Sequence, residues 1–593
     1  MNLSSLDWTI IIIFFAVFLV IGVMVSKKAG SSSKEFFLSG RNMPWWLLGV
    51  SMVATTFSAD TPNLVTDIVR QNGVAGNWTW WAFLITGMFT VFIYAKLWRR
   101  SGVLTDLEFY EKRYSGKEAA FLRGFRAIYL GVFFNVMIMA TVSLAAIKIG
   151  EVMFGLEPWK TVVYASLITV AYSSLGGLRG VILTDFLQFI VAMVGSIAAA
   201  IYIVNLPEVG GLSALVERPE IVSKLSLIPD INNQELFITL LVIPIAVQWW
   251  SVWYPGSEPG GGGYIAQRML SAKDEKNAVS ATLLFNITHY ALRPWPWILI
   301  ALASLVVYPD LASIREAFPN IAESKMGHDL GYSAMLLTLP KGLLGIVIAS
   351  LIAAFMSTIS THLNWGSSYV AYDFYQRFVK PEASDKELVN VGRISTVLLM
   401  VLAGLFALAL TSAYDAFQIL LSIGAGTGSI FLLRWFWWRI NAYSEITGMV
   451  VSFIFALLLN ENIGPEFLTS IKPEFKLLLS VGVTTVAWVV VTLFTRPTDY
   501  NTLASFFNSV KPYGSGWNGF KKIAQKENLP LESGTGKSSI DILAVFLGII
   551  VVYSALFSTG MFIYGNLTNG VILLVVALSA ILMLRNTWRK IKF

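Results

Sequence analysis

The chain has 593 residues, 55% hydrophobic and only 13% charged, with a mean hydropathy of +0.66 and a formal net charge of +7. Soluble domains carry about 25% charged residues, so this composition belongs to an all-α integral membrane protein rather than a soluble one. The chain has no cysteine, which excludes disulfides, and with His289, His328 and His362 far apart and no HExxH, CxxC or full GxxxxGK[ST] phosphate loop, the sequence argues against zinc proteases and ATP-driven pumps.

Apolar runs of about 17–25 residues predict membrane helices. They lie near 8–26, 45–70, 75–96, 125–150, 160–177, 181–204, 236–256, 279–307, 337–372, 388–411, 413–437, 445–460, 475–495, 541–565 and 569–587. The first lacks a basic leader and a small-residue cleavage site, so it reads as a retained helix. Alternate loops are basic: Lys27, Lys28, Lys34 and Arg41, then the cluster from Arg99 to Arg126, then Arg268, Lys273 and Lys276, then Arg377 to Arg393, and finally the tail Arg585–Lys592. The loops between them are acidic, with Glu208, Glu217, Asp310, Glu316 and Glu461 among their residues. By the positive-inside rule the basic set is cytoplasmic. The expected topology is a multi-pass protein of the plasma or inner membrane, with the N-terminus outside and the C-terminus inside. The +7 charge then follows from topology and implies no nucleic-acid partner.

Residues 1–44 hold an extra helix and a cytoplasmic loop, and 205–235 is an outer loop. Residues 45–204 and 236–437 each hold about five helices, and the odd number between them inverts one set against the other, as in transporters built from inverted repeats. Residues 438–593 add about four helices and the longest polar stretch, 496–540, expected as peripheral turns with at most one short helix. The outer loops 205–235 and 308–335 are candidate lids.

Within 45–70 the stretch SMVATTFSADTPNLV places Thr55, Thr56, Ser58, Asp60, Thr61, Pro62 and Asn63 at bilayer depth. Proline breaks or kinks a helix, and the break is expected at Pro62. Freed carbonyls, hydroxyls and a carboxylate are oxygen ligands suited to a hard cation such as sodium. A proline kink with a structurally paired carboxylate is the plainer reading. In 337–372, Ala354, Ser357 and Thr358 share one face, either as small-residue packing or as half of an ion site. Arg293, beside Pro294 and Pro296, is an intramembrane cation. It either pairs with an acid such as Asp60 or captures a substrate carboxylate. The tryptophans Trp78, Trp80, Trp81, Trp249, Trp250 and Trp253 belong either to interfacial belts or to a stacking surface.

The segments FFLSGRNMPWWLLGVSMVATTFSAD (36–60), TDLEFYEKRY (105–114), YSSLGGLRGVILTDFLQF (172–189), YIAQRMLSAK (264–273) and LIAAFMSTISTHLN (351–364) resemble the sodium/solute symporter family of sugar, proline, sialic-acid, iodide and vitamin carriers. The resemblance covers most of the chain. It implies a leucine-transporter-like core of five plus five inverted helices, alternating access and sodium-driven uptake, with sodium as the coupling ion. Carried over residue by residue, it implies a sodium site from the carbonyls of Ala54, Phe57 and Ala354 and the side chains of Ser357 and Thr358. It also implies a sodium-pathway role for Asp185, whose alternative is a helix-entry pair with Arg179. Substrate candidates are Thr56 and Thr61 in the first core helix, Trp80 in the second, Trp253 and Tyr264 in the sixth, and Arg293 in the seventh. Asp60, Asn63, Gln418 and Ser422 are further candidates. Leu421 stands where a close galactose-type pocket would be polar, and the PGSEPGGGG run before Tyr264 departs from the family's spacing. The expected function is sodium-coupled import of a small organic solute, a sugar or related polar solute. Proton coupling, or a carboxylate or amino-acid substrate on the same fold, is the alternative. A transporter-like sensor is the reading from another class. No paired acid and base or metal triad marks an enzyme.

Overall fold

A computed structural model describes residues 3–251, 258–319, 321, 323, 326–410, 424, 426–460, 464–532 and 538–593. Trp253, Gln418, Leu421 and Ser422, and most of the span expected at 413–437, lie outside the described residues. Helices dominate the rest, and the one β-bridge among the described residues joins Met43 to Ala272. Among the described residues, eleven helices are long and apolar enough to cross a membrane, and Trp45–Thr56 and Ala442–Leu458 are shorter apolar helices.

The first core helix is two helices, Trp45–Thr56 and Asp60–Asn72. Its break is not at Pro62, as expected, but at Phe57–Ala59. Pro62 sits in the first turn of the second half, where its missing N–H would have had no intrahelical partner in any case. The second and third core helices are Val74–Ser101 and Gly116–Glu151. The spans expected at 160–177 and 181–204 are one element, Pro158–Val204, bent at Gly177 (φ 52°, ψ −164°). A Cβ there would lie 2.7 Å from the Phe36 carbonyl oxygen, so both the backbone and the packing demand glycine.

The sixth core helix, Gln234–Ser251, is followed after an interval by Gly263–Ser271. The seventh is Glu275–Val307, the eighth Leu343–Val379 and the ninth Asp385–Ala409. The fifth core helix is the half of Pro158–Val204 after Gly177, and that element as a whole packs along the eighth more extensively than any other pair of core elements. The added N-terminal helix Ser5–Ala29 lies against both. The polar stretch 496–540 holds two helices, Tyr500–Val510 and Asn518–Lys526, rather than one at most. Phe506 of the first and Trp517, just before the second, cover Arg113, whose guanidinium lies 5.2–5.3 Å from their rings and from that of Tyr114. An apolar covering for a docked cation is a packing role that the polar composition concealed.

Candidate functional site: a helix break facing a hydroxyl face

The broken first core helix and the hydroxyl face of the eighth meet. Ala54, Phe57, Ala354, Ser357 and Thr358 are all at most 3% exposed. The Thr358 hydroxyl lies 2.7 Å from the Thr55 carbonyl oxygen and 3.1 Å from that of Ala354. At the break, the Phe57 N–H reaches back to the Val53 and Ala54 carbonyls at 2.9 and 3.1 Å. Thr55 Oγ1 and Thr361 Oγ1 are 2.9 Å apart, which lengthens the row of oxygens along the same helix pair.

Asp185 is fully buried on the fifth core helix, beside this row. It accepts from Ser357 at 2.6 Å and from Ser51 at 2.5 Å. Its cation is Arg268, 3.8 Å away, and not the sequence neighbour Arg179. Arg268 also donates to Ser51 at 3.3 Å and to Thr361 at 2.7 Å. One fully buried guanidinium therefore ties helix Gly263–Ser271 to the first, fifth and eighth core helices. Gln267 beside it donates to Asn364 at 3.0 Å and to the Phe37 carbonyl at 3.1 Å. Asp106, from the TDLEFYEKRY segment, accepts from the Gly263 N–H at 2.9 Å and from the Tyr369 hydroxyl at 2.5 Å. The sequence motifs at 105–114 and 264–273 are thus the ties across one end of the helix bundle.

Across the break lies a cavity of about 50 Å³. Thr56 lines it from the first core helix, and Phe83, Thr86, Gly87 and Thr90 from the second. Glu258 and Gly261 line it from just before helix Gly263–Ser271 and Ile265 from within it, and Thr282, Phe285, Asn286, His289 and Tyr290 from the seventh. Thr288–Leu292 is a π-helical turn, and the Arg293 N–H bonds the Thr288 carbonyl five residues back. The widened turn brings His289 and Arg293 to Thr56. Arg293 donates to Thr56 Oγ1 at 3.0 Å and to His289 Nε2 at 3.2 Å, and His289 Nδ1 lies 3.0 Å from Thr56 Oγ1. A guanidinium only donates, so His289 is neutral with its proton on Nδ1, and Thr56 passes its own proton to the Val53 carbonyl at 3.0 Å. Arg293 is therefore held by Thr56 and His289 and stacked 5.1 Å from Trp297, rather than ion-paired with Asp60.

The other substrate candidates are more scattered. Thr61 points back to the Thr56 carbonyl at 3.4 Å. Asp60 Oδ1 and both amide atoms of Asn63 are buried and meet no partner among the described residues. Trp80 stacks on Tyr290 at 5.8 Å and donates to Asn77 at 2.8 Å. Tyr264 packs on His362 and Trp365 of the eighth core helix. Sequence reasoning missed His289, Asn286, Glu258 and Arg268. His289 was within reach, because it sits four residues before Arg293 and shares its helix face. Among the described residues no group of three His, Cys, Asp or Glu side chains is placed to hold a metal.

The model of the sodium:solute symporter family matches residues 36–452. This chain belongs to the sodium:solute symporter family. Its curated relatives include a sodium/glucose cotransporter of Vibrio parahaemolyticus, 27% identical over 77% of this chain and 86% of the relative. Sodium/glucose cotransporter 1 of Oryctolagus cuniculus is 26% identical over 83% of this chain and 80% of its own length. In fold, the chain is similar to a Na+-coupled sialic acid symporter in its substrate-bound outward-open state, with a TM-score of 0.66 and 21% identity over 84% of this chain and all of that one. The family's work is sodium-coupled symport across a membrane, and sodium is its coupling ion.

Proposed function

We propose that this symporter imports a small, uncharged, polar organic solute of the sugar type, driven by sodium, through alternating access to the cavity at the helix break. The observation that carries the reading is the Thr358 hydroxyl on the Thr55 carbonyl, 2.7 Å across the break. Sodium takes the carbonyls of Ala54, Phe57 and Ala354 and the hydroxyls of Ser357 and Thr358. Such a set has no formal charge, which suits a monovalent ion that must also leave. The ion leaves past Asp185 toward the basic loops, which we assign to the cytoplasm, with the N-terminus outside. We read 45–204 and 236–437 as the two inverted repeats.

The solute binds against Thr56, Asn286, His289 and Tyr290, with Thr61, Asp60, Asn63 and Trp80 above them. Arg293 spends its two terminal nitrogens on Thr56 and His289, whereas Glu258 lines the cavity. That balance favours a neutral solute over a carboxylate. Sodium moving inward gains about 2.3 kcal/mol per 100 mV, and the concentration gradient adds to this. The test is uptake into proteoliposomes under an imposed sodium gradient, with sugars, acidic sugars, amino acids and carboxylates as solutes. Sodium-dependent accumulation of a neutral sugar is expected. Accumulation driven by a pH gradient in the absence of sodium would give the coupling to protons, and binding without flux would make the protein a sensor.

A further inference from the structure

The end of the cavity away from Thr56 is lined by oxygens that have spent their protons. Thr86 and Thr90 stand one turn apart on the second core helix, and Thr282 and Asn286 one turn apart on the seventh. The Thr86 hydroxyl donates to the Trp249 carbonyl at 2.5 Å, that of Thr90 to the Thr86 carbonyl at 2.8 Å, and that of Thr282 to the Ala278 carbonyl at 2.9 Å. Each therefore has only lone pairs left to offer. Asn286 donates from Nδ2 to the Thr282 carbonyl at 2.8 Å, and a carbonyl only accepts, so the amide cannot be turned the other way. Its Oδ1 is buried, in a side chain 1% exposed, and meets no donor among the described residues. This oxygen is directed at the second core helix, where a Cβ on Gly87 would collide with it. Glu258, 4% exposed, brings a carboxylate that lies along Gly262, where a Cβ would come within 2.7–2.9 Å of it. Buried polar atoms are nearly always met, so the Asn286 oxygen calls for a partner. A water has two protons to give, whereas a cation is met by every one of these oxygens at once.

We propose that Thr86, Thr90, Glu258, Thr282 and Asn286 form a cation site of their own, for a sodium ion, separate from the cage at Ala54, Phe57, Ala354, Ser357 and Thr358. Carboxylate, amide and hydroxyl oxygens are hard donors, and a single carboxylate matches a single positive charge, which favours a monovalent ion over a divalent one. The filled site is neutral, which lowers the cost of an acid at this depth. A cavity of about 50 Å³ has room for the ion with a water or two. Thr282 and Asn286 precede His289 on a helix that starts at Glu275, beside the basic loop of Lys273 and Lys276. The ion therefore sits on the basic-loop side of the Thr56–His289 end, and Asn286 links the two. The cage and this site share no ligand, so either reading can fail alone.

The experiment is equilibrium binding of radioactive sodium to the purified full-length chain without solute, with thermal unfolding measured alongside. Thr358→Val disables the cage, and sodium that still binds in this variant reports the second site. Adding Glu258→Gln or Asn286→Leu is expected to weaken that remaining binding about tenfold or more, because each removes an oxygen that faces the ion. Asn286→Asp is expected to tighten it about fivefold by adding a charge, and it carries the test should the leucine variant not fold against Gly87. Sodium binding that vanishes in Thr358→Val alone overturns the proposal and leaves the cage standing. Binding that persists in Thr358→Val with unchanged affinity after Glu258→Gln and both Asn286 variants places the ion elsewhere and also overturns it. Two sodium ions still bound in Thr358→Val, one of them lost with Glu258→Gln, removes the cage and supports this site. A lower melting temperature in Asn286→Leu with unchanged sodium binding makes the amide purely structural and overturns the proposal.

Discussion

The Thr358 hydroxyl donates to the Thr55 carbonyl at 2.7 Å, so the eighth core helix fills the hydrogen-bonding gap left by the break in the first. The bond has a partner that a cation can replace, since a hydroxyl turns its hydrogen away and offers a lone pair instead. Thr358→Val keeps the shape and removes the oxygen. It is expected to raise the half-saturating sodium concentration about tenfold or more, for a loss on the order of 1–3 kcal/mol. Thr358→Ser is expected to stay within about threefold of the wild type. Sodium titrations of uptake in proteoliposomes read both, and a valine variant with wild-type sodium dependence would remove Thr358 from the site.

The N-terminal helix is fastened to the same eighth core helix. Asp7 is 1% exposed and accepts from the Gly342 and Gly345 N–H groups at 2.7 and 2.8 Å, and from the Ser4 N–H at 2.9 Å. It caps the start of the eighth core helix from another element, taking up N–H groups that have no partner within that helix. Asp7→Ala is expected to lower stability by about 1–3 kcal/mol, read as a fall in melting temperature. Gly345→Ala should act in the same direction, because its Cβ would come 2.7 Å from the Asp7 backbone. Sodium dependence should be untouched in both.

The parts of this structure legible in the sequence were those that follow from solvent and period. Apolar runs located the spans, and three- and four-residue spacing put Ala354, Ser357 and Thr358 on one face. The break was visible as a polar stretch, but its position was not, because proline tolerates the first turn of a helix as readily as it disrupts an interior one. What local pattern cannot carry is partner choice over long separations. Asp185 finds Arg268 rather than Arg179, and Arg293 finds Thr56 and His289 rather than Asp60. These pairings are made by packing in a medium where every polar group must find a partner inside the protein.

Lys96 and Asp541 form such a long-range pair, 2.6 Å apart, with side chains 2% and 3% exposed. It joins the second core helix to the added helix Ser539–Ile563, and Tyr513 lies 5.4 Å over the ammonium. Removing one member strands the other charge. Lys96→Met is therefore expected to cost about 3–5 kcal/mol, whereas Lys96→Met combined with Asp541→Leu recovers most of it. Thermal unfolding of the single and double variants checks this. A double variant no more stable than the single one would show that the pair does more than satisfy itself.

At the acidic-loop end, Arg70 donates to Ser304 at 3.0 Å, to the Tyr308 carbonyl at 2.8 Å and to His328 Nδ1 at 3.3 Å. Next to His328, Asp329 pairs with Lys148 at 2.7 Å. These contacts clamp Tyr308 and His328 over the end of the first core helix. Burial and the Arg70 guanidinium hold the His328 imidazole below its usual 6.5, while Asp329 opposes the shift and Lys224 adds to it. Only the neutral ring can accept from Arg70. A histidine whose folded-state value is depressed contributes fully above about 6.5, and the contribution is lost as pH falls through the depressed value. The loop is therefore expected to loosen on acidification. Amide exchange across 326–336, corrected for its intrinsic pH dependence, should rise about threefold or more between pH 7.5 and 5. His328→Gln keeps an acceptor that does not titrate, so it should abolish the rise. A rise that persists in this variant would mean that another group releases the loop.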